Sequence, residues 1–567
     1  MQKIISSIVT IFFLLSIGGN ANAQFTLADS IRGSYGASRD WWDVTKYDIS
    51  VNMDIVNKSI SGKNIISFTP IKSGTELHID LQDPMILDAV SIFKTDANTA
   101  PSNATQVDKI DLNTISKKGN GYFIPIKNSL IIGEDYKIEL AFHGKPKEAK
   151  NPPWDGGFIW KKDPKGNPWV SVACQGLGAS IWYPCKDHQA DEPSSAALHI
   201  TIPDALVAVS NGQLTGTKIY DSNIVCYSWA VENPINSYNI IPYIGKYKNF
   251  SEIYAGEKGP LKMDYWVLEG NEAIAKTQFK DATRMMEAFE HWFGPYPFYK
   301  DGYKLVESPH LGMEHQSGIA YGNKFKQGYS GRDLSHSGWG LKFDFIIVHE
   351  SGHEWFGNNI TSKDIADMWI HESFTNYSET LFTDYFYGKA AGNAYVIGTR
   401  QNIENDIPII GPYNVNKEGS GDMYDKGGNM IHMIRQVMKD DEKFRRLLRD
   451  MNKTFYHGTV TTRQIEDFII QKSGYDFQPV FDQYLRTTQI PNLEIVKLAG
   501  GKKFKMRFTN CNTDFTIPLK IKGTDIWITP TTEWCTIKIK TDKIEIDENF
   551  YITTTNLLEK QISKKAE

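Results

Sequence analysis

The residues with the clearest chemical potential lie in one short segment of the sequence. His349, Glu350 and His353 form the pattern H-E-x-x-H. On a helix, residues four positions apart share a face, so the two imidazoles can reach the same metal ion. Glu350 lies beside the pair and can act as a base without becoming a ligand. The pattern predicts a zinc site, which needs a further protein ligand from elsewhere in the chain.

A candidate for that further ligand follows His353 after eighteen intervening residues. Glu372 lies inside a second stretch with helical periodicity, residues 371–388. The run 343–348, before the first histidine, is apolar at all but one position, which places its helix in a core. Gly352 costs a helix about 1 kcal/mol relative to alanine, so we expect packing to exclude a side chain there. The alternative is two surface histidines on an ordinary helix.

The elements that position these residues fall into three successive regions. From about 45 to 247, alternating apolar and polar runs predict a β-sandwich. From about 253 to 490 the periodicity predicts a mainly helical region with a short strand segment at 303–319. From 491 to about 555, strand-like runs predict a small β-domain. The expected helices are 273–293, 343–356, 371–388, 426–439 and 462–473. The expected domains of this multidomain α and β protein are 24–247, 248–490 and 491–567.

Composition describes an ordinary globular chain. At about 150 residues per domain, 567 residues correspond to three or four domains. Sixty-two Lys and Arg against sixty-seven Asp and Glu give a net charge of −5. No basic stripe appears, which argues against nucleic acid as a partner. After the first twenty-three residues, no apolar segment is long enough to span a bilayer, so we expect no membrane span in the mature form.

The first twenty-three residues have the features of a secretory signal. Lys3 supplies a positive charge, 4–17 form an apolar run, and Ala21-Asn22-Ala23 is a small-x-small cleavage pattern. We expect cleavage near Ala23 and export to the periplasm or the exterior. The alternative is an N-terminal membrane anchor, but the apolar run is shorter than the roughly 20 residues that a span requires.

The cysteines indicate little chemistry. No C-x-x-C pair occurs, so zinc binding by thiolates is not expected. An oxidising compartment permits a disulfide, and Cys511 and Cys535 lie in one β-rich segment where a hairpin can bring them together. The sequence leaves the connectivity open among Cys174, Cys185, Cys226, Cys511 and Cys535.

These segments resemble the M1 zinc aminopeptidases, the gluzincins related to aminopeptidase N and leukotriene A4 hydrolase. Besides the H-E-x-x-H pattern and its spacing to the third ligand, 354–358 (E-W-F-G-N) and 367–374 (D-M-W-I-H-E-S-F) resemble that family's local sequence. The resemblance runs from about 47 to 490. It implies a saddle-like N-terminal β-domain and a thermolysin-like catalytic domain. It also implies one zinc ion held by His349, His353 and Glu372, with Glu350 as the general base.

Three further segments extend the resemblance to the substrate site. Residues 311–315 (L-G-M-E-H) stand where the family has G-x-M-E-N, whose Glu holds the substrate's α-amino group. Tyr424, in 423–427 (M-Y-D-K-G), matches a tyrosine that donates a hydrogen bond to the oxyanion. Gln175 matches a β-domain residue that helps to bind the N-terminus. The residues implied in substrate binding are Glu314, Gln175, Gly312 and Met313.

Four positions depart from the family pattern. Leu311 and His315 replace the first Gly and the Asn of G-x-M-E-N, while His371 and Ser373 replace the Asn and Gly that flank the third ligand. All the implied zinc ligands survive these changes. The departures concern how the substrate backbone lies along the strand, so they leave the preferred first residue open.

The resemblance implies an enzyme that removes residues from the N-termini of peptides. A thermolysin-type endopeptidase is the first alternative, because it shares H-E-x-x-H and a downstream Glu but has no need of Glu314. An inactive peptide-binding protein is the second, although Glu350 is intact. Tyr424 and Gln175 also have ordinary interpretations, as a core tyrosine and as a turn residue. Asn376, one turn beyond Glu372, is a candidate to support a metal ligand, with a solvent-facing side chain as the alternative. The sequence does not determine the oligomeric state.

Overall fold

The structure, a computed structural model, describes residues 25–95, 105–127, 129–220, 223–499, 502–541 and 543–558. The predicted signal segment and its cleavage site lie outside these residues, so that prediction stays untested. Within the described ranges, no helix combines the length and the apolar character that a bilayer crossing requires.

The first region is built from strands that enclose one hydrophobic core. In β1, Tyr47, Ile49 and Val51 are buried and alternate with more exposed positions, as expected for a half-buried strand. The sheets run in the orders β13-β14-β11-β1-β2-β8-β4-β5, β12-β15-β10-β9 and β3-β7-β6. The strands are β1 Trp42–Asp54, β2 Ser59–Pro70, β3 Glu76–Asp80, β4 Ile86–Lys94, β5 Thr105–Ile110, β6 Ser116–Lys118, β7 Gly121–Pro125, β8 Tyr136–Gly144, β9 Gly157–Lys162, β10 Pro168–Ala173, β11 Ser195–Pro203, β12 Val207–Val209, β13 Gln213–Ile219, β14 Ile224–Val231 and β15 Tyr243–Gly245.

Helices dominate the second region, together with a sheet in the order β16-β17-β18-β20-β19 and the parallel pair β21 and β22. The strands are β16 Tyr247–Gly256, β17 Gly259–Leu268, β18 Tyr303–Glu307, β19 Gly312–Met313, β20 Ile319–Tyr321, β21 Ile360–Ser362 and β22 Gly458–Val460. The helices of the described chain are α1 Leu27–Gly33, α2 Glu272–Gln278, α3 Lys280–Phe293, α4 Phe345–Gly352, α5 Trp369–Tyr387, α6 Lys389–Thr399, α7 Asp425–Met438, α8 Asp441–Thr454, α9 Thr462–Ser473 and α10 Gln478–Arg486.

The predicted helices differ from the observed ones at two breaks. The predicted helix 273–293 is divided at Phe279 into α2 and α3, and the ring of Phe279 packs edge-on against Tyr321 at 4.9 Å. The predicted helix 343–356 ends early, at Gly352. Helices α1, α6, α8 and α10 were not predicted. The predicted segment 462–473 coincides with α9.

The third region forms small β-sheets, and the predicted order of a β-rich, a helical and a second β-rich region is confirmed. Its main sheet runs β27-β24-β23-β28, beside the pair β25 and β26. Buried residues such as Leu493, Phe504 and Phe515 continue the core of the helical region. The domain boundaries stay predictions, although strand partners change at β16 and β23. The strands are β23 Asn492–Lys497, β24 Lys503–Thr509, β25 Leu519–Lys520, β26 Trp527–Ile528, β27 Cys535–Lys538 and β28 Thr553–Leu557.

The Cys511–Cys535 bridge that the sequence left open is not formed in this structure, where all five cysteines are free. Cys535 pairs with Met506 across β24 and β27, whereas Cys511 lies beyond the end of β24 at Thr509. The hairpin register therefore places the two cysteines at different levels of the sheet.

The sheet of the second region separates two cores. On β18, Leu305 packs into the helical core while its neighbour Val306 packs into the core of the first region. On β20, Ile319 and Ala320 divide in the same way, and Met313 of the edge strand β19 also joins the core of the first region. Because successive side chains of a strand face opposite sides, one sheet contacts both cores.

Candidate active site

Helix α4 carries the first part of the H-E-x-x-H pattern and begins at a buried cap. The Asp344 side chain accepts hydrogen bonds from the backbone N–H groups of Ile346 and Ile347, which have no partner within the helix. Gly352 lies where α4 meets α5, and a Cβ there would stand 2.7 Å from the Ser378 hydroxyl. The expected exclusion of a side chain at Gly352 is therefore explained by close packing of the two helices.

The helix ends at the second histidine because the backbone changes course just beyond it. Phe356 and Gly357 have non-helical dihedrals, and Gly357 has a φ of 129°, which favours glycine. This break turns the Phe356 carbonyl back toward His353, whose Nδ1–H donates to it at 3.0 Å. The break therefore orients the imidazole and leaves Nε2 as its unprotonated nitrogen.

The three predicted zinc ligands converge in the structure. His349 Nδ1–H donates to the Glu379 carboxylate at 2.7 Å, so Nε2 of this ring also carries the free lone pair. The two Nε2 atoms lie 3.7 Å (His349) and 3.4 Å (His353) from Glu372 Oε2. All three residues are buried, and their ligand atoms lie within 4.8 Å of one another.

This donor set fits a zinc ion. Glu372 Oε2 is buried and has no hydrogen-bond partner in the described part of the chain. A buried carboxylate oxygen without a donor is costly unless a cation compensates it. Two imidazoles and one carboxylate are the ligands of many catalytic zinc sites, and zinc bonds of the usual length separate ligand atoms by about 3.3 Å. His349, His353 and Glu372 would therefore hold the metal and leave one position open.

Glu350 lies beside the ligands, on the side of the edge strand β19. A Cβ at Gly312 would approach Glu350 Oε1 to 2.4 Å, so glycine is required at 312 for the carboxylate to occupy this position. Burial raises the pKa of Glu350 to about 7. A carboxylate with such a pKa can take up and release a proton near neutral pH.

Glu314, at the end of β19, lies at the same centre. One of its carboxylate oxygens is within 4.8 Å of ligand atoms of Glu350 and His353. Glu314 Oε1 accepts hydrogen bonds from Gln175 Nε2 at 2.6 Å and from the Tyr238 hydroxyl at 2.9 Å. Burial raises the pKa of the Glu314 carboxyl. The structure thus brings two residues of the first region, Gln175 and Tyr238, to a carboxylate beside the metal ligands.

The remaining predicted residues lie in different surroundings, from partly exposed to buried. Tyr424 is partly exposed and stacks on the His349 ring at 5.9 Å, so it is not a core tyrosine. Met313 is buried in the core of the first region. Asn376 is buried and donates to Asp425 at 3.1 Å, so it does not face solvent. Gln175 is hydrogen-bonded to Glu314, as described above, and is more than an ordinary turn residue.

The four departures from the family pattern have separate settings. His315 is buried, and its Nδ1 lies 2.7 Å from the Tyr243 hydroxyl. His371 Nε2 accepts from the Ser362 backbone N–H at 2.8 Å, and the Ser373 hydroxyl donates to the Met423 carbonyl at 2.6 Å. His371 and Ser373 hold the surrounding backbone and His315 contacts a buried tyrosine, whereas Leu311 lines the cavity described next.

A cavity of about 720 Å³ contains the site. It is lined by the edge strand, by α4 and α5, by the segment around Tyr424, and by loops of the first region at 153–156 and 175–177. Trp154, on the first of these loops, is 66% exposed, so it lies at the rim and is not part of a core. Its volume is in the range of ligand sites, and every predicted site residue is among those that line it.

Two positioning residues were missed in the sequence. Glu379 lies two turns after Glu372 on α5, and its second oxygen accepts from the Tyr395 hydroxyl at 2.6 Å. The seven-residue spacing from Glu372 was a readable signal, because it places both carboxylates on one helix face. Tyr238, in contrast, comes from a short turn of the first region, and nothing in its local sequence indicated the contact with Glu314.

Comparison with protein families gives two matches. Residues 44–239 match the family model for the peptidase M1 N-terminal domain, and residues 277–484 match that for the peptidase family M1 domain. The first covers most of the β-rich region, and the second contains His349, His353 and Glu372.

Individual relatives are distant in sequence. Probable aminopeptidase 2 of Sulfurisphaera tokodaii is 22% identical, over 74% of this chain and 55% of the relative. Leukotriene A-4 hydrolase of Xenopus laevis is 21% identical, over 76% and 69%. The chain therefore spans about half the length of the first of these relatives. A crystal structure of an M1 zinc metallopeptidase mutant from Deinococcus radiodurans, bound to a Tyr-Ser-Ala substrate, superposes with a TM-score of 0.65 at 18% identity, over 81% of this chain and 97% of that one.

Proposed function

Because this chain belongs to peptidase family M1, we propose that it is a zinc aminopeptidase, which hydrolyses the first peptide bond of peptides that have a free N-terminus. The relatives named as aminopeptidases support this assignment, as does the Deinococcus enzyme bound to a tripeptide. The observation that carries the proposal is the position of Glu314 next to Glu350 and the metal-binding His353.

Each group has a separate task in this reaction. A zinc ion held by His349, His353 and Glu372 supplies a Lewis acid and lowers the pKa of water. Glu350 accepts a proton from the attacking water and passes it to the departing amine. The Tyr424 hydroxyl donates a hydrogen bond to the oxygen that becomes negative, an interaction whose loss costs roughly 3 to 4 kcal/mol in comparable sites.

Selectivity for peptides with a free N-terminus follows from the burial of Glu314. Its carboxylate lies near a second buried carboxylate, Glu350, so both are unfavourable without a cation. The α-ammonium group of a peptide supplies that positive charge. A peptide without a free amine leaves Glu314 uncompensated, and we expect it to be a poor substrate. A thermolysin-type endopeptidase would have no need of this carboxylate.

The test compares one peptide in two forms, with a free and with an acetylated N-terminus. We expect the zinc-loaded enzyme to cleave the free form at least about a hundredfold more efficiently. In Glu314→Gln this preference should fall strongly, because the neutral amide no longer pairs with an ammonium group. Glu533→Gln, which changes an exposed carboxylate of the third region, is the matched control. Equal cleavage of both forms by the unaltered enzyme would contradict the proposal and favour the endopeptidase.

We also propose that the protein is exported and acts in the periplasm or outside the cell. The charged, apolar and small-residue pattern of 1–23 supports this location. N-terminal sequencing of the protein recovered from a producing bacterium tests it. A mature chain that begins near Gln24 is the expected result, and an intact Met1 in the cytosolic fraction would argue against export.

A further inference from the structure

A single arginine of the described chain lines the cavity that contains the metal-binding residues. Arg332 is exposed and is the one Lys or Arg among the described residues that line the cavity. Acidic residues, including Asp155, Glu314, Glu350 and Glu418, line much of the remainder. No carboxylate of the described chain lies within 4.0 Å of the Arg332 guanidinium. Arg332 is thus a cation without an ionic partner, in a cavity of mostly opposite charge.

The backbone that carries Arg332 is fixed in place. Tyr329 and Arg332 exchange backbone hydrogen bonds of 2.9 and 3.0 Å across a tight turn. The two central residues of the turn, Ser330 and Gly331, have φ values of 54° and 92°. Positive values at both positions are typical of a type I′ turn, which is a rigid hairpin connection. Arg332 is therefore held at the end of a defined turn and not on an irregular loop.

A buried asparagine joins this turn to the helix of the metal site. Asn323 Oδ1 accepts from the Ser330 backbone N–H at 2.7 Å, and its Nδ2 donates to Asp344 Oδ1 at 2.7 Å. Asp344 is the N-cap of α4, which carries His349. The Arg332 turn and the metal-binding helix consequently share one hydrogen-bonded support, which fixes the backbone of Arg332 relative to the site.

The direction of the edge strand shows which end of the cavity Arg332 occupies. Glu314 follows β19 at one end, and Gly312, beside Glu350, lies further back along the strand. At the other end, the Leu311 carbonyl accepts from the Gly322 backbone N–H at 2.7 Å. The segment 322–334, which contains the Arg332 turn, starts there. Tyr329 of the Arg332 turn packs against Phe345 at the start of α4, whereas Glu314 lies beside His353 at the end of α4. Arg332 thus lies toward the opposite end of the cavity from Glu314.

The separation suits a short peptide. Three successive ring contacts connect His349 to Arg332 through Phe345 and Tyr329: 5.2 Å, 5.4 Å, and 5.1 Å to the guanidinium carbon. An extended peptide advances about 3.3 to 3.6 Å per residue. These contacts set an upper limit for the distance from the His349 ring to the guanidinium carbon. The carboxylate of a di- to tetrapeptide whose first peptide bond lies at the metal site falls within that limit.

We propose that Arg332 binds a carboxylate of short peptide substrates, at the end of the cavity opposite the amine site. This inference rests on the proposed aminopeptidase function. The planar guanidinium matches a carboxylate through paired N–H donors. The carboxylate is either the C-terminus of the peptide or an acidic side chain at the corresponding position. In both cases Arg332 selects the substrate by its negative charge, and Glu314 selects it by its positive charge.

The experiment uses one tripeptide, X-Gly-Gly, in which X is the first residue that the enzyme prefers. Values of kcat and KM are measured for this peptide, for its C-terminal amide, for X-Gly-Asp amide and for the arylamide of X. The enzymes are the unaltered protein, Arg332→Ala and Arg332→Lys, all loaded with zinc. Lys326→Ala is the matched control, because Lys326 is exposed on the same segment and does not line the cavity.

We expect the unaltered enzyme to cleave the free acid about tenfold more efficiently than the amide, mainly through a lower KM. Arg332→Ala should abolish this difference and leave the arylamide rate unchanged. Arg332→Lys should retain part of the preference for the free acid over the amide. The control Lys326→Ala should retain all of this preference. If the difference appears only with the Asp-containing amide and is lost in Arg332→Ala, the bound carboxylate is a side chain.

The contradicting results are separable. Active enzyme with equal efficiencies for acid and amide, unaffected by Arg332→Ala, overturns the role of Arg332 and leaves the aminopeptidase function intact. A zinc-loaded enzyme that cleaves neither the arylamide nor any of the peptides contradicts the proposed function, and the role of Arg332 with it.

Discussion

Glu350 is the residue whose task is most sharply separated from those of its neighbours. It lies next to the metal ligands in sequence, but its carboxylate is placed against Gly312 of the edge strand. We expect Glu350→Gln to lower kcat at least about a hundredfold, because the amide cannot accept the proton of the attacking water. Zinc content should stay near one ion per chain, since all three ligands remain. Elemental analysis and arylamide kinetics check both parts, and near-normal turnover would exclude Glu350 as the base.

Glu379 should influence the metal without binding it. Its carboxylate fixes the orientation of the His349 ring by a 2.7 Å hydrogen bond and is itself held by Tyr395. Loss of such a partner typically weakens metal binding by roughly 10- to 100-fold. We expect Glu379→Gln to show a loss of this size in a competition titration with a chelator. Tyr395→Phe keeps the carboxylate and should lose less, whereas an unchanged zinc affinity in Glu379→Gln would show that the contact does not tune the metal.

At this scale the sequence was informative where chemistry demands a fixed spacing. The two histidines and Glu372 were predictable, because helix geometry and zinc coordination both restrict the pattern. Glu314 and Gln175 were assigned through the family resemblance, and the structure places them in contact. Tyr238 was unpredictable, because its contact with Glu314 depends on how the first and second regions pack.

Among the elements, the N-terminal segment has an unexpected place beside the amine site. Arg32, on α1, donates to the backbone carbonyls of Gly176 at 2.5 Å and Gln175 at 3.3 Å. It also donates to the Asn416 side chain at 2.7 Å and forms an ion pair with Asp187. This segment precedes residue 44, where the family match begins. The loop that presents Gln175 to Glu314 is therefore held from behind by a residue outside the matched domains.

We expect Arg32→Ala to raise KM for peptides with a free amine by roughly five- to tenfold, with a smaller change in kcat, because Gln175 loses its fixed position. Arg32→Lys should recover part of the loss, since it keeps the ion pair with Asp187. Lys58→Ala removes an exposed ion pair of the same region and serves as control. An unchanged KM together with a lowered melting temperature would assign Arg32 a purely structural role.

Helices α9 and α8 show where hydrophobic periodicity predicts a helix correctly and where it fails. Helix α9 was predicted to the residue, because Thr461 forms a capping box and Gly474 ends the helix in the left-handed conformation. Helix α8 was missed although Phe444, Leu447 and Met451 form a helical stripe, since charged residues surround them. The end of α4 was unpredictable for another reason. It follows from the turn at Gly357 that orients His353, which is a requirement of the site.

In the whole molecule, the metal site links helices α4 and α5 through buried charged groups. Without a cation, Glu372 Oε2 is buried with no donor from the described chain, and the metal is expected to bind only the folded state. A ligand present at a thousandfold its Kd stabilises a folded protein by about 4 kcal/mol. We expect chelation to lower the Tm by several degrees and zinc to restore it, as measured by calorimetry at a fixed scan rate.

Glu372→Gln is the informative comparison for that measurement. It keeps the size of the side chain but weakens the metal site, so its Tm should be nearly independent of chelator. The prediction fails if the unaltered protein melts at the same temperature with and without zinc. In that case the surrounding core, and not the ion, holds α4 and α5 together.

The sheet β16-β17-β18-β20-β19 packs against a different core on each face, and this limits how the protein can be divided into fragments. A fragment that starts at β16 would expose Val306, Ala320 and Met313 to water, and Glu314 would lack both of its hydrogen-bond donors. Such a fragment would tend to aggregate before its catalysis could be assayed. The first region is thus required for the catalytic function of the second region. Truncation and domain-swapping designs should therefore keep the contact between these two regions intact.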